Sequence, residues 1–243
     1  MTQENETVKQ EKSEKYKKSQ VYYTWGEETF NWVSHLAGIV LSVVAAVLMI
    51  IKSSQGFLAG EYGASGIVSV CIFSLGLLAV YSISTSYHLT TYGTLARSIM
   101  RRFDHCTITL LIAGSYMPYT IIGLCWQGLD QPADMVWGIV ITAIVVAMAV
   151  AVIVLSIVGI QKFKYLTLAF YLIMGWAIVI RIYPLILAVG WPAFLFLMCG
   201  GVSYTVGVLF YKFLKVPFHH GIFHLFVLLG SILMWVSVYF FLL

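Results

Sequence analysis

Long apolar segments follow one another through most of this 243-residue chain, with short polar connections between them. A hydrocarbon core about 30 Å thick requires roughly 20 apolar residues for each crossing helix. The sequence is 60% hydrophobic and 10% charged, which lies outside the range of an ordinary soluble domain. It therefore predicts an all-α, polytopic membrane protein with seven transmembrane helices. The predicted spans are residues 32–52, 65–89, 104–124, 134–158, 165–183, 191–212 and 219–242.

The N-terminal residues differ in composition from the rest of the chain. They begin with MTQENETVKQEKSEKYKKSQ, which is polar, mixed in charge and without an apolar run. Such a composition predicts a disordered tail over residues 1–24 rather than a cleaved signal peptide. Residues 25–243 are expected to form the seven-helix transmembrane domain. The four cysteines are scattered singly, without the paired spacing of a metal or redox motif.

The distribution of positive charge predicts the orientation in the membrane. Cytoplasmic loops carry an excess of Lys and Arg, and all but two of the 14 such residues fall on one side of the predicted helices. The opposite side keeps Lys52 and Arg181. We therefore expect a cytoplasmic N-terminus and tail and an external C-terminus, and a net charge of +4 that reflects topology, with no nucleic-acid partner. The cytoplasmic group comprises Lys9, Lys12, Lys15, Lys17, Lys18, Arg97, Arg101, Arg102, Lys162, Lys164, Lys212 and Lys215.

The 6 histidines of the chain all fall near this cytoplasmic side. His220 and His224 are four residues apart, so on a helix both rings project from one face and can bind a single metal ion. The stretch STSYH, which contains Ser84 and His88, ends a predicted helix on the same side and brings a third imidazole. Three neutral imidazoles leave a zinc ion one open position for water, whose pKa then falls near 7. The pattern predicts a Zn²⁺ site formed by His88, His220 and His224.

A general base has to come from a different helix. The zinc motif HExxH carries its own glutamate, but here Gly221 follows the first histidine. Asp104 starts the predicted third helix beside His88, and we assign it to hydrogen-bond the metal-bound water and to shuttle its proton. Ser84 is assigned a contact to this centre or to a substrate oxygen. Pairing with Arg101 or capping of its own helix is the structural alternative for Asp104.

Further polar residues lie near the same side of the predicted bundle. Glu28, Asn31 and His35 share one helical face and are possible supporting residues of the site, although capping and interhelical hydrogen bonding explain them equally well. His105 and His219 point about 100° away from their neighbours, Asp104 and His220, on a helix. An interfacial anchor is the expected role for these two.

The chain contains the motifs EETFNWVSH, STSYH, RRFDH followed by AGSYMPY, HGIFH, YLIMGW and GGVSYTVGVLFY. Together they resemble the motifs of the progestin and adipoQ receptor family, specifically its bacterial hemolysin III branch. The resemblance implies a seven-helix protein of the bacterial plasma membrane with zinc near the cytoplasmic face. The family's metal ligands match His88, His220 and His224, and its water-linked aspartate and its serine match Asp104 and Ser84. A wider superfamily shared with alkaline ceramidases implies hydrolysis of a lipid amide.

The expected function is therefore zinc-dependent hydrolysis of an amide or ester bond in a membrane lipid that enters from the bilayer. One alternative is a membrane-homeostasis sensor or regulator, in which lipid occupancy shifts a conformational equilibrium. Another is a pore-forming hemolysin, which is disfavoured because no predicted helix carries a sustained polar stripe through the bilayer centre. A retinal protein is excluded because residues 219–243 contain no lysine for a Schiff base.

Overall fold

All regular structure in the described part of the chain is helical, as the sequence predicts. The computed structural model describes residues 10, 14, 16, 17, 20–127, 132–214 and 216–243. Most of the predicted disordered tail, and Lys215, lie outside these residues. The helices are α1 Trp25–Ala59, α2 Ala64–Leu89, α3 Leu95–Met117, α4 Pro132–Gly159, α5 Lys164–Trp176, α6 Ile182–Phe213 and α7 His219–Ser237. π-Helical turns extend α3 over Pro118–Gln127 and α7 over Val238–Leu242, and a 3₁₀ turn, Ala177–Arg181, joins α5 to α6.

Within these described residues, 6 continuous helical segments are long and apolar enough to cross a membrane. The count differs from the prediction because the predicted fifth and sixth spans lie in one continuous segment, Lys164–Phe213, of 50 residues. Fifty residues at 1.5 Å each amount to about 75 Å, which is more than twice the hydrocarbon thickness. Inside the segment Gly190 adopts φ 80° and ψ 160°, a conformation that is outside the helical region and that glycine tolerates best. Pro192 follows directly.

The third span begins earlier than the apolar pattern indicates. Thr94 caps α3 by accepting a hydrogen bond from the Arg97 N–H at 3.3 Å. Arginine is a good helix former, so the basic stretch before Asp104 continues the helix although it is too polar to count as membrane-spanning. Asp104 consequently lies more than two turns inside α3, and the alternative that it caps this helix is wrong.

Small residues bring α2 and α3 into close contact. A Cβ atom on Gly76 would lie 2.8 Å from the carbonyl oxygen of Leu110, and one on Gly114 would lie 3.0 Å from that of Ile72. Both obstacles are backbone atoms, so a larger side chain would have to separate the helices. Such packing through small residues is common between membrane helices. It holds the histidine-bearing end of α2 at a fixed position relative to Asp104.

Two cations hold the opposite end of the bundle. Arg181, in the 3₁₀ turn, forms an ion pair with Asp134 at the start of α4. Lys52, near the end of α1, donates a hydrogen bond to the backbone carbonyl of Tyr239 at 2.5 Å. These contacts join α4 to the α5–α6 segment and α1 to the chain's C-terminal turn, away from the histidines.

Replacement of Gly76 by alanine should destabilise the protein. The new methyl group meets the Leu110 carbonyl, and overpacking of this kind costs about 1–3 kcal/mol. The matched control is Gly175→Ala, because a Cβ there meets nothing within 4 Å. Thermal unfolding of detergent-solubilised protein should give a lower midpoint for Gly76→Ala and an equal or higher midpoint for Gly175→Ala. Equal midpoints for Gly76→Ala and the unmodified protein would contradict the close packing of α2 and α3.

Candidate metal centre

Three imidazole rings meet where α2 ends and α7 begins. His88 Nε2 lies 3.1 Å from His220 Nε2, and His220 Nε2 lies 3.0 Å from His224 Nε2. A ligand atom from each of the three residues lies within 4.8 Å of the other two. Nitrogens bound to one tetrahedral zinc ion at about 2.0–2.1 Å would be separated by about 3.3 Å. The spacing of the three rings therefore fits a single metal ion.

The outer nitrogens of two of these rings are already engaged as hydrogen-bond donors. His88 Nδ1 lies 2.6 Å from a carboxylate oxygen of Glu28, and His224 Nδ1 lies 3.2 Å from the backbone carbonyl oxygen of Asn31. The Glu28 carboxylate can only accept, so His88 Nδ1 carries the hydrogen of this contact. His224 Nδ1 also lies 3.2 Å from Ser34 Oγ, but that hydroxyl already donates to the Asn31 carbonyl oxygen at 2.8 Å, so His224 Nδ1 is a donor as well. In the neutral imidazoles the inward-facing Nε2 atoms of His88 and His224 are then lone-pair acceptors.

His220 lies between these two acceptors and cannot satisfy both. Its Nε2 carries at most one hydrogen and can donate it to one neighbour only. Its Nδ1 is buried and has no hydrogen-bond partner in the structure. At least one of the two Nε2 lone pairs, on His88 or on His224, is therefore left without a donor about 3 Å from His220 Nε2, in a site where His224 is 2% exposed. A cation bound between the nitrogens would accept these lone pairs, so the three residues fit a divalent metal with a preference for imidazole, such as zinc.

Helix α1 supplies the groups that orient the imidazoles. It begins with a capping box in which Thr24 and Glu27 exchange hydrogen bonds, and this start places Glu28 and Asn31 one turn apart on the inner face. The Glu28 carboxylate contacts His88 with one oxygen and forms an ion pair with Arg97 through the other. In metal sites, a histidine that binds the ion commonly donates its other ring N–H to a carboxylate, which orients the ring.

The close approach of α1 to α7 depends on the glycine in HGIFH. A Cβ atom on Gly221 would overlap the Phe30 ring and would lie 2.9 Å from Asn31 Oδ1. A side chain here would push α1 away from the two histidines of α7. The position that holds glutamate in HExxH is therefore occupied by glycine because α1 packs against it. Beside this contact His35 stacks on His224 with 3.7 Å between ring centroids, and neither of its ring nitrogens has a hydrogen-bond partner in the structure.

An aromatic side chain covers the cluster from outside the spanning segments. Tyr23 stacks on His220 with 5.1 Å between centroids and is 7% exposed. Burial, together with neighbouring Tyr211 and Tyr87, raises the pKa of Tyr23 above its usual range, so the phenol stays neutral. His219 turns away from the cluster, because it stacks on Tyr211 and its Nδ1 bonds the carbonyl oxygen of Val216 at 3.0 Å.

A cavity of about 380 Å³ adjoins the histidines, and its walls include His220, His224, Ser84 and Asp104. Ser84 is 1% exposed, and its side chain neighbours that of Asp104. The volume falls within the range of sites for small molecules. The structure thus brings Ser84 and Asp104 to the cavity wall beside two of the three clustered histidines, together with His105 and His35.

Two functional candidates have no motif in the sequence that marks them. Arg97 appears there as one loop charge among several, yet it is 2% exposed and is the partner of Glu28. Tyr23 falls in the predicted tail. Both reach the cluster through contacts between residues distant in sequence, for which the spacing of local motifs gives no signal.

Comparison with known proteins gives consistent matches over most of the chain. The family described as "Haemolysin-III related" matches residues 23–235. A "Hemolysin-3 homolog" of Bacillus subtilis is 36% identical over 220 residues, which is 90% of this chain and 96% of the relative. "Hemolysin-3" of Bacillus cereus is 33% identical over 217 residues, covering 89% and 92%. The human "Monocyte to macrophage differentiation factor" is 29% identical over 172 residues, covering 66% and 64%.

Replacement of Glu28 by glutamine should weaken metal binding by about 10- to 100-fold, because His88 loses its anionic partner. The affinity is measured by competition with a zinc chelator. The matched control is Glu27→Gln, since Glu27 contacts Thr24 and the backbone of Phe218 rather than a clustered histidine, and glutamine also serves in a capping box. Equal affinities for the two variants would show that Glu28 does not orient a ligand.

Proposed function

This chain belongs to the haemolysin-III-related family and is a multi-pass integral membrane protein of the bacterial plasma membrane, and from that premise we propose that it is a zinc-dependent hydrolase of membrane lipids. The bond cleaved is an amide or an ester. One observation carries the proposal: the imidazole nitrogens of His88 and His224 converge as acceptors on His220 beside a cavity that also contains a carboxylate.

His88, His220 and His224 would hold the zinc ion. Bound there by three neutral imidazoles, zinc supplies Lewis acidity that polarises a carbonyl and lowers the pKa of water. Glu28 and Asn31 keep the inward nitrogens of His88 and His224 free of hydrogen. These outer contacts support a site that is ready to bind the metal rather than one that must first lose protons.

Asp104 is the proposed general base and acid. Its carboxylate accepts a proton from the attacking water and returns it to the amine or alcohol that leaves. The Ser84 hydroxyl lies beside Asp104 on the cavity wall, and it donates its single hydrogen to that carboxylate or, when the cavity is filled, to a substrate oxygen. The apolar part of the cavity wall holds the acyl chain and keeps bulk water away from the reacting bond.

The family implies seven crossings, and the backbone of the α5–α6 segment supports that count. Two crossings of Lys164–Phe213, with the turn at Gly190, give each arm a length close to one hydrocarbon thickness. The charge distribution then supports a cytoplasmic N-terminus and a cytoplasmic metal centre.

Labelling of single cysteines tests this topology. In a background with the four native cysteines replaced, Tyr22→Cys and Trp191→Cys are both exposed positions. A membrane-impermeant thiol reagent should label Trp191→Cys in intact cells and Tyr22→Cys only in inverted vesicles. Labelling of both positions from the same face would contradict two crossings in the α5–α6 segment.

Metal analysis tests the zinc assignment. Mass spectrometry of gently purified protein should find about one zinc ion per chain, and His88→Ala, His220→Ala and His224→Ala should each lose it, because a zinc site of this type needs three protein ligands. His219→Ala is the matched control, since His219 packs against Tyr211 outside the cluster. Retention of zinc in all three ligand variants would overturn the assignment.

Lipid turnover tests the roles of the two cavity residues. Asp104→Asn should retain zinc and reduce the rate of lipid hydrolysis by about 10²- to 10⁴-fold, as expected for loss of a proton-transfer group. Ser84→Ala should reduce it by a smaller factor, while Ser86→Ala should leave it unchanged because Ser86 is exposed and bonds its own helix. Unchanged turnover in zinc-loaded Asp104→Asn would refute the role of Asp104.

The two Bacillus relatives are named as hemolysins, which favours lysis as a second candidate function. Dye release from liposomes that contain the purified protein distinguishes this activity from hydrolysis. Leakage that persists in the zinc-free His220→Ala variant would identify a lytic protein. Zinc-containing protein that forms no lipid product and causes no leakage would instead identify a regulator.

A further inference from the structure

Helices α3, α5 and α6 form long walls of the cavity beside the metal centre, and α7 also lines it over residues 220–234. This cavity is called the groove from here on. Its lining positions recur every three or four residues over residues 101–116 of α3, 164–175 of α5 and 201–212 of α6. At 1.5 Å per residue these stripes are about 16–22 Å long. The groove is therefore long and narrow, and it extends from the histidines toward the interior of the bundle.

One end of the groove is cationic. Arg101, Lys164 and Lys212 all belong to its lining. Helices α3 and α5 begin at the histidine end of the bundle and α6 ends there, so each of the three cations occupies the histidine end of its own stripe. Asp104 is the single carboxylate among the described lining residues, which leaves an excess of positive charge at this mouth.

Farther along the groove the lining is mainly apolar, although serine, threonine and tyrosine side chains also belong to it. Ile108, Leu168, Val208 and Val227 belong to it, with Phe223 at the level of the histidines. A ligand that fills the groove must pair charge at one end and bury hydrocarbon at the other, which describes an amphiphile with one chain in the groove.

We propose that the groove binds an amphiphile with an anionic head group, a phosphate or a carboxylate, which pairs with Arg101, Lys164 and Lys212 while its acyl chain lies between α3, α5 and α6. The inference rests on the proposed hydrolase function, because it takes the groove as the binding site of the lipid substrate. It gives the substrate class as lipids with a negatively charged head rather than neutral or zwitterionic ones.

A general excess of positive charge on one side of the membrane does not explain this arrangement. Lys162 and Arg102 lie beside Lys164 and Arg101 in sequence, but neither lines the groove. Arg102 donates to the carbonyl oxygen of Ile157 at 3.1 Å, and Lys162 lies over the Phe163 ring at 5.2 Å. Lys164 and Lys212 lie over the Tyr165 ring at 5.0 and 4.2 Å, so the difference between the two groups is whether they line the groove, not whether they contact a ring. Lys162 and Arg102 keep the local charge equal and are therefore matched controls.

Binding of simple amphiphiles to the full-length protein in amphipol tests the proposal without requiring turnover. Dodecyl phosphate, dodecyl phosphocholine and dodecanol share one chain and differ in head-group charge. Dodecyl phosphate should bind at least roughly tenfold more tightly than the other two, and its affinity should fall with added salt. Lys164→Gln and Lys212→Gln should each weaken it by about three- to fivefold, a typical loss for a partly exposed charge pair. The control variants Lys162→Gln and Arg102→Gln should leave the affinity for dodecyl phosphate unchanged.

Equal affinity for the three amphiphiles, or an equal loss in Lys162→Gln and Lys164→Gln, would overturn the proposal. So would displacement of dodecyl phosphate by inorganic phosphate at similar concentration, because the site would then bind phosphate without the chain. Selective binding of dodecyl phosphate in a protein that hydrolyses no lipid would keep this inference and reject the hydrolase. Hydrolysis of lipids without a head-group preference would keep the hydrolase and reject this inference.

Discussion

The meeting of three imidazole nitrogens at about 3 Å is the constraint on which the rest of the site depends. It arises because the outer nitrogens of His88 and His224 donate to oxygens of α1, so their inner nitrogens face His220 as acceptors. The arrangement requires α1, α2 and α7 to pack closely at one end, which Gly221 permits. Arg97 then balances the Glu28 carboxylate that this packing buries.

Two groups of helices form different parts of the site. Helices α1, α2 and α7 form the metal centre, whereas α3, α5 and α6, together with the inner face of α7, line the groove. The two groups meet at Ser84 and Asp104, which lie on the wall that both share. A ligand in the groove therefore has its polar end beside the histidines and its chain among apolar side chains, the order that cleavage near a lipid head group requires.

Local patterns in the sequence are sufficient to predict part of this arrangement. The spacing of His220 and His224 and the helix end at His88 bring the three histidines to one side, and the structure places them together. The start of α3 could not be predicted from hydropathy, because hydropathy marks only the apolar part of a helix. The helix α3 also contains the polar residues before Asp104. Arg97 and Tyr23 could not be predicted either, since their contacts depend on how helices pack rather than on neighbouring residues.

The contact between α1 and α7 also has a consequence for biosynthesis. His224 bonds Asn31, a residue 193 positions earlier, and the Glu27 carboxylate of α1 accepts from the backbone N–H of Phe218 immediately before α7. The ribosome delivers α1 and α2 before α7, so Glu28 and His88 enter the membrane long before their neighbours His220 and His224 exist. Assembly of the centre consequently waits for the synthesis of α7, and a nascent chain that stops before His219 has no complete site to load.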